Sequence, residues 1–189
     1  MDWRRRTGGA RMDDLARAVD LSMPRPFVID ATAGLGRDSW LLASLGCRVR
    51  AYERSPVVWA LLDDALRRAH VPADADHDLL DRLTLCRADS LQALEALSDD
   101  ELPDVVLIDP MYPPSTRSAL PRKEMRVLSQ LLGQDGDAVE LLDVARKAAR
   151  RRVVVKRHLR DAPLGGIRPT HSRSGRSTRF DVYVRENSR

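Results

Sequence analysis

The sequence predicts an α/β fold in which a mostly parallel sheet is flanked by helices. Three observations carry that prediction. Short apolar runs, Phe27-Val28-Ile29, Val105-Val106-Leu107-Ile108 and Val153-Val154-Val155, are of the kind a parallel sheet buries on both faces. Segments with helical spacing lie between such runs, so strand and helix alternate along the chain. Four acids, Asp30, Glu53, Asp89 and Asp109, each close an expected strand at its carboxyl end, the edge where an open α/β sheet binds ligands.

Length and composition bound the reading. A chain of 189 residues with 43% hydrophobic content is long enough for one domain with a proper core. Residues 1–24 read as a basic arm and a short helix, and residues 25–189 as the main domain. No apolar run approaches the ~20 residues of a membrane span. The start, Met1-Asp2-Trp3-Arg4-Arg5-Arg6, has no apolar segment behind it, so a secretory signal is not expected and a cytoplasmic location is. Cys47 and Cys86 have no metal-ligand spacing and read as free thiols of a reducing compartment. The net charge of +4 is unevenly spread: between Ala145 and Arg189 stand 14 basic residues against Asp161, Asp181 and Glu186. Such asymmetry points to a polyanionic partner, and the dominance of arginine points to phosphate forks. Arg173, Arg176 and Arg179 are the candidate contacts to such a partner; the alternative is a solvated basic face.

The elements follow in order. Asp13 or Asp14 is placed to cap a helix through Val19, with Leu15, Ala16 and Val19 on one face. The first strand, Phe27 to Ile29, ends at Asp30, and a helix from Trp40 to Leu45 closes at Gly46. Arg48 to Glu53 is the second strand, Val57 to Ala69 a helix opened by Pro56, and Asp74 to Asp81 a polar loop. Leu83 to Asp89 is the third strand, Leu91 to Leu97 a helix, and Asp104 to Ile108 the fourth strand. Helices are expected over Arg122 to Leu132 and Ala138 to Ala149, and a fifth strand over Arg152 to Lys156. Leu159 to Ser177 reads as a loop and Arg179 to Arg185 as the last strand.

Gly34 and Gly36 let the backbone turn sharply after the first strand and approach a ligand closely. A dinucleotide fingerprint, G-x-G-x-x-G, is excluded because Ser39 occupies the third glycine position. The pattern Asp30-x-Thr32-x-Gly34-x-Gly36 resembles the first motif of class I S-adenosylmethionine-dependent methyltransferases, and departs from it at Thr32, where glycine is usual. Taken alone the loop also fits another nucleotide binder or a structural turn. Glu53, closing the second strand, is placed to accept both ribose hydroxyls of a nucleotide, or else to pair with Arg54 on the surface. Asp89 is placed to take an adenine amino group, to cap the helix after it, or both.

The run Asp109-Pro110-Met111-Tyr112 suits methylation of an exocyclic amine on a base. Such an amine is a poor nucleophile because its lone pair is delocalised into the ring. The Asp109 carboxylate and the Pro110 carbonyl can hold its two N–H bonds and turn the lone pair towards the methyl donor. Proline stiffens the backbone that presents the carbonyl, and Tyr112 can stack on the base, an interaction of ~1–3 kcal/mol. No metal is needed for this chemistry. Read alone, Asp and Pro here also fit an ordinary turn.

Several runs together resemble the RsmJ family of bacterial small-subunit (16S) ribosomal RNA guanine-N2 methyltransferases. They are Asp30 to Asp38, Glu53 to Val58, Leu61 to Asp64, Asp109 to Pro113, Lys123 to Arg126, Val153 to Arg157 and Arg179 to Tyr183, in that order. The resemblance runs from about Arg4 to Tyr183. It implies a Rossmann-like class I methyltransferase fold, S-adenosylmethionine as methyl donor, and a guanine near the 3′ end of the RNA as target, in free rRNA or the assembling small subunit. It further implies that Arg37, Asp38, Glu53, Arg54 and Asp89 belong to the cofactor pocket with Asp30, Thr32, Gly34, Gly36 and Asp109, and that Asp109 orients the amine. This sequence departs from the family at Tyr112, where phenylalanine is commoner, and in the length ahead of the first strand, 25 residues where the family has more. Methylation of another exocyclic amine, such as adenine N6, and a non-catalytic RNA-binding module are the alternatives.

Overall fold

The structure, a computed structural model, describes residues 9–22, 24–71, 76–110, 136–175 and 177–185. Its elements are α1 (Gly9–Val19), β1 (Phe27–Asp30), α2 (Arg37–Ser44), β2 (Arg48–Glu53), α3 (Pro56–Ala69), α4 (His77–Leu80) and β3 (Leu83–Arg87). Then come α5 (Ser90–Glu95), β4 (Val105–Ile108), α6 (Ala138–Ala148), β5 (Arg152–His158), β6 (His171–Ser174) and β7 (Thr178–Val184). Among the described residues the strands form one sheet in the order β3-β2-β1-β4-β5-β7-β6. Strands β1 to β5 are parallel, β7 runs antiparallel to β5, and β6 antiparallel to β7.

The strand order decides where a ligand can sit. The chain winds outward from β1 through β2 to β3, returns to place β4 beside β1, and continues the other way to β5. The reversal between β1 and β4 opens a crevice at their carboxyl ends.

The apolar runs sort by the two-residue period of a strand. Val105 and Leu107 face one layer and Val106 and Ile108 the other, and all four are fully buried. Each such burial is worth about 1.5–3 kcal/mol relative to exposure. One layer packs Ile29, Val106, Val153 and Val155 under Leu94 of α5 and Leu141, Leu142 and Ala145 of α6. The other packs Val28, Leu107, Val154 and Phe180 under α2 and α1. Helix α1, within the 1–24 segment, supplies Leu15, Ala18 and Val19 to this second layer.

Beyond shifts of two or three residues at the ends of α2, α5 and β5, the elements differ from the sequence expectation in four places. Helix α1 starts at Gly9, so Asp13 and Asp14 lie inside it rather than capping it, and Ala18 replaces Ala16 on the buried face. The polar loop of 74–81 contains the one-turn helix α4, whose Asp76 side chain accepts the Leu79 N–H at 3.0 Å. Strand β3 stops at Arg87, and Asp89 instead caps α5. The loop of 159–177 contains β6, a polar edge strand held by main-chain bonds to β7 rather than by an apolar pattern. The helix expected over 122–132 lies outside the described residues.

Candidate active site

The turn after β1 is pinned to both neighbouring strands. The Ala31 N–H donates to Leu107 O at 2.9 Å, and the Ala33 N–H to Tyr52 O at 3.0 Å. Gly34 and Gly36 take φ values of 52° and 71°, in the left-handed region. Their surroundings differ. A Cβ at Gly36 would lie 2.6 Å from Leu62 Cδ1, so that glycine lets the turn pack on α3. A Cβ at Gly34 would meet nothing nearer than 3.9 Å, and this residue faces the crevice.

Asp30 is 2% exposed and lies beneath the turn. Its Oδ1 accepts the Thr32 N–H at 3.1 Å and its Oδ2 the Ser39 hydroxyl. Burial pushes its carboxyl up to about 7; the Ser39 bond opposes that, and the nearby Asp38 and Asp109 carboxylates reinforce it. Thr32, at the position where glycine is usual, has a function in the turn: its Oγ1 accepts the Asp109 N–H at 2.6 Å and so fastens the exit of β4 to the glycine turn.

A cavity of about 380 Å³ opens at the carboxyl ends of the strands. That is the size of a small-molecule site. Glu53 lies on its wall, 8% exposed, with Oε2 accepting the Gly34 N–H at 3.0 Å and Oε1 the Ser55 N–H at 2.7 Å. A carboxylate has about four acceptor positions, so two main-chain donors leave Glu53 capacity for a pair of hydroxyls. Asp89 also lines the cavity, while its Oδ1 accepts the Leu91 and Gln92 N–H groups as the cap of α5. Tyr52, Leu91, Ala138 and Leu141 supply apolar wall. Arg54 and Asp137 line the same cavity and join at 2.6 Å, linking the end of β2 to the start of α6.

Asp109 leaves the sheet directly after β4, with Pro110 on the cavity wall. Lys156, on β5, donates to Asp109 Oδ2 and, at 2.6 Å, to Asp38 Oδ2. Register makes this meeting possible, since Ile108 pairs with Val155 and the next residues on the two strands are Asp109 and Lys156. The sequence reading assigned Lys156 no part in the site. Its signal was a lone lysine closing the run Val153 to Val155, at the same strand edge as the four acids.

The remaining expected residues are placed as follows. Arg37 is exposed at the start of α2 and does not line the cavity, while Asp38 is buried against Lys156. Tyr112 and Arg176 lie outside the described residues. Arg173 is exposed on β6. Arg179 instead forks onto the fully buried Asp181, through Nε to Oδ1 at 2.7 Å and Nη2 to Oδ2 at 2.9 Å, and donates to Leu159 O at 3.1 Å. Much of the basic excess is similarly tied: Arg151 and Arg152 to Asp20, Arg157 to Ala162 O and Arg185 to Ala149 O. Among the described residues no cluster of potential metal ligands occurs, and no helix is long and apolar enough to cross a membrane.

Similarity to known proteins extends over nearly the whole chain. Residues 1–185 match the family described as "Putative SAM-dependent methyltransferase". Ribosomal RNA small subunit methyltransferase J of Serratia proteamaculans is 50% identical over 185 residues, covering 97% of this chain and 74% of that protein. The protein of the same name from Thioalkalivibrio sulfidiphilus is 51% identical over 175 residues, covering 92% and 68%. Among solved structures, a SAM-dependent methyltransferase from Neisseria gonorrhoeae has a TM-score of 0.79 at 40% identity, covering 98% of this chain and 71% of that one. The rRNA methyltransferase AviRa from Streptomyces viridochromogenes, at 18% identity and a TM-score of 0.60 over 90% of this chain and 82% of its own, shares the fold.

Proposed function

Because the chain belongs to the family of S-adenosylmethionine-dependent methyltransferases, we propose that it methylates N2 of a guanine near the 3′ end of small-subunit (16S) ribosomal RNA. It would do so in the cytoplasm, on free rRNA or the assembling subunit. The observation that carries the reading is the junction at the reversal of the sheet, where Thr32 of the glycine turn holds Asp109 beside a cavity that Glu53, Asp89 and Pro110 line. The names of relatives at half identity support the RNA substrate.

The residues present fit the cofactor. The open space at Gly34 and the spare acceptor capacity of Glu53 suit a nucleoside, and Asp89 and the apolar wall suit its adenine. When bound, S-adenosylmethionine supplies an electrophilic methyl group on a sulfonium sulfur. The protein's part is alignment and electrostatics. Asp109 and the Pro110 carbonyl accept the two amine N–H bonds and aim the lone pair, and Tyr112 stacks on the base. Arg173 and Arg176 meet RNA phosphates. Arg160, exposed after β5, follows a residue tied to the β6–β7 hairpin, since the Leu159 N–H donates to Ser177 O, and it is a further candidate for phosphate contact.

The test is nucleoside mass spectrometry of ribosomal RNA from a strain lacking the gene. Loss of one N2-methylguanosine is expected. Loss of N6-methyladenosine instead would move the reading to another amine, and an unchanged profile would contradict it. Failure of the purified protein to bind S-adenosylmethionine at millimolar concentration would favour a non-catalytic RNA-binding module.

A further inference from the structure

We infer that Lys156 is a positioning residue for methyl transfer, holding the Asp109 carboxylate ionised and in the orientation that receives the base amine. This rests on the amine-orienting role proposed for Asp109.

Asp109 stands one residue beyond the end of β4, and its side chain is 41% exposed. Its N–H is fixed by Thr32, but that bond sets the backbone and not the carboxylate. A carboxylate so exposed samples several rotamers unless something holds it, and an acceptor that steers a lone pair must be held closely. Lys156 comes from the neighbouring strand, with its side chain 14% exposed. Its ammonium is anchored from the other side by Asp38 of α2, which is itself buried. The same nitrogen therefore joins α2, β5 and the exit of β4, and it places a fixed positive charge on Asp109. A surface lysine engaging one carboxylate would be a weak pair; here the cation is part-buried and engages two.

Electrostatics gives the second reason. Asp30, Asp38 and Asp109 crowd the carboxyl ends of β1 and β4, and the latter two each raise the Asp30 carboxyl. Asp109 is the most exposed member of this anionic cluster, and repulsion from the other two carboxylates favours its turning away. A protonated Asp109 would offer the amine a weaker acceptor. A lysine at this point keeps the ionised form without supplying a competing acceptor, since an ammonium only donates.

The test uses the full chain with ribosomal RNA as substrate. Single-turnover methyl transfer, the S-adenosylmethionine Kd by calorimetry and the Tm are measured for Lys156→Met, Lys156→Arg, Asp109→Ala and Lys156→Met/Asp109→Ala. Because Lys156→Met also removes a cationic partner of the buried Asp38, Asp38→Asn/Lys156→Met serves as the variant that removes both charges together. A residue acting through Asp109 predicts that Lys156→Met slows transfer about 10- to 100-fold with the Kd within about threefold. Lys156→Arg should recover most of the rate, and Asp38→Asn/Lys156→Met should recover Tm but not rate. In the Asp109→Ala background the lysine substitution should add almost nothing. A fully active Lys156→Met beside an impaired Asp109→Ala overturns the inference alone. So does a loss of equal size in the Asp109→Ala background, or one that follows cofactor affinity. A fully active Asp109→Ala overturns the orienting role and this inference with it.

Discussion

At the scale of single residues, two carboxylates that close strands have different roles. Glu53 braces the glycine turn through main-chain donors and keeps acceptor capacity towards the cavity. Glu53→Ala should weaken S-adenosylmethionine binding by about 1.5–3 kcal/mol, a tenfold to hundredfold rise in Kd by calorimetry. Asp30 is buried and ties the turn to α2. Its ordinary value is 3.8 and burial raises it to about 7. Between those values the folded protein retains a proton that the unfolded chain has released. This contribution is therefore fully present below pH 3.8 and is lost as pH rises through 7, at up to about 1.4 kcal/mol per pH unit. Asp30→Asn should remove that part of the decline. Tm profiles of the two proteins from about pH 4 to 8 should converge or cross as pH rises, and parallel profiles would show that Asp30 titrates normally.

At the scale of elements, the glycine turn and the β6–β7 hairpin explain what the sequence could and could not reveal. Gly36→Ala combines a left-handed φ with the Leu62 clash, whereas Gly34→Ala has the φ strain alone. A cost of about 1–3 kcal/mol is expected for the strain, and thermal melts should show the larger fall in Tm at Gly36. The glycine pattern, the strand-ending Asp30 and Glu53 and the β-branched runs were legible because each is a local consequence of strand, turn or burial. Strand β6 was not, because His171-Ser172-Arg173-Ser174 has no apolar period and owes its form to β7. Lys156 was missed for the same physical reason: its role depends on the register between β4 and β5, which a single strand does not encode. Arg179 shows the reverse error. Its sequence context is basic, yet its fork belongs to Asp181. Arg179→Ala should cost about 3–5 kcal/mol by leaving a buried charge without its cation, so a lowered Tm would precede any effect on RNA.

At the scale of the whole molecule, the charge excess separates by end of the sheet. Arg151, Arg152 and Arg185 tie up Asp20 and the α6 carboxyl end, whereas Arg160 and Arg173 stand exposed at the rim that carries Asp109 and Lys156. Substituting Arg160 and Arg173 with alanine should weaken RNA binding and lower the salt slope by about 0.7–0.9 for each phosphate no longer neutralised. A filter-binding titration across salt concentrations, with Tm as control, checks this; an unaltered slope would mean the RNA lies elsewhere. The central claim is that the Thr32–Asp109 junction aligns a guanine amine for methylation. The most direct measurement incubates purified protein with methyl-labelled S-adenosylmethionine and small subunits from a strain lacking the gene, then identifies the labelled nucleoside. Label is expected in N2-methylguanosine with the unaltered protein, with a loss of about a hundredfold or more in Asp109→Ala at unchanged cofactor affinity. Label in a different nucleoside, or undiminished transfer by Asp109→Ala, would contradict it.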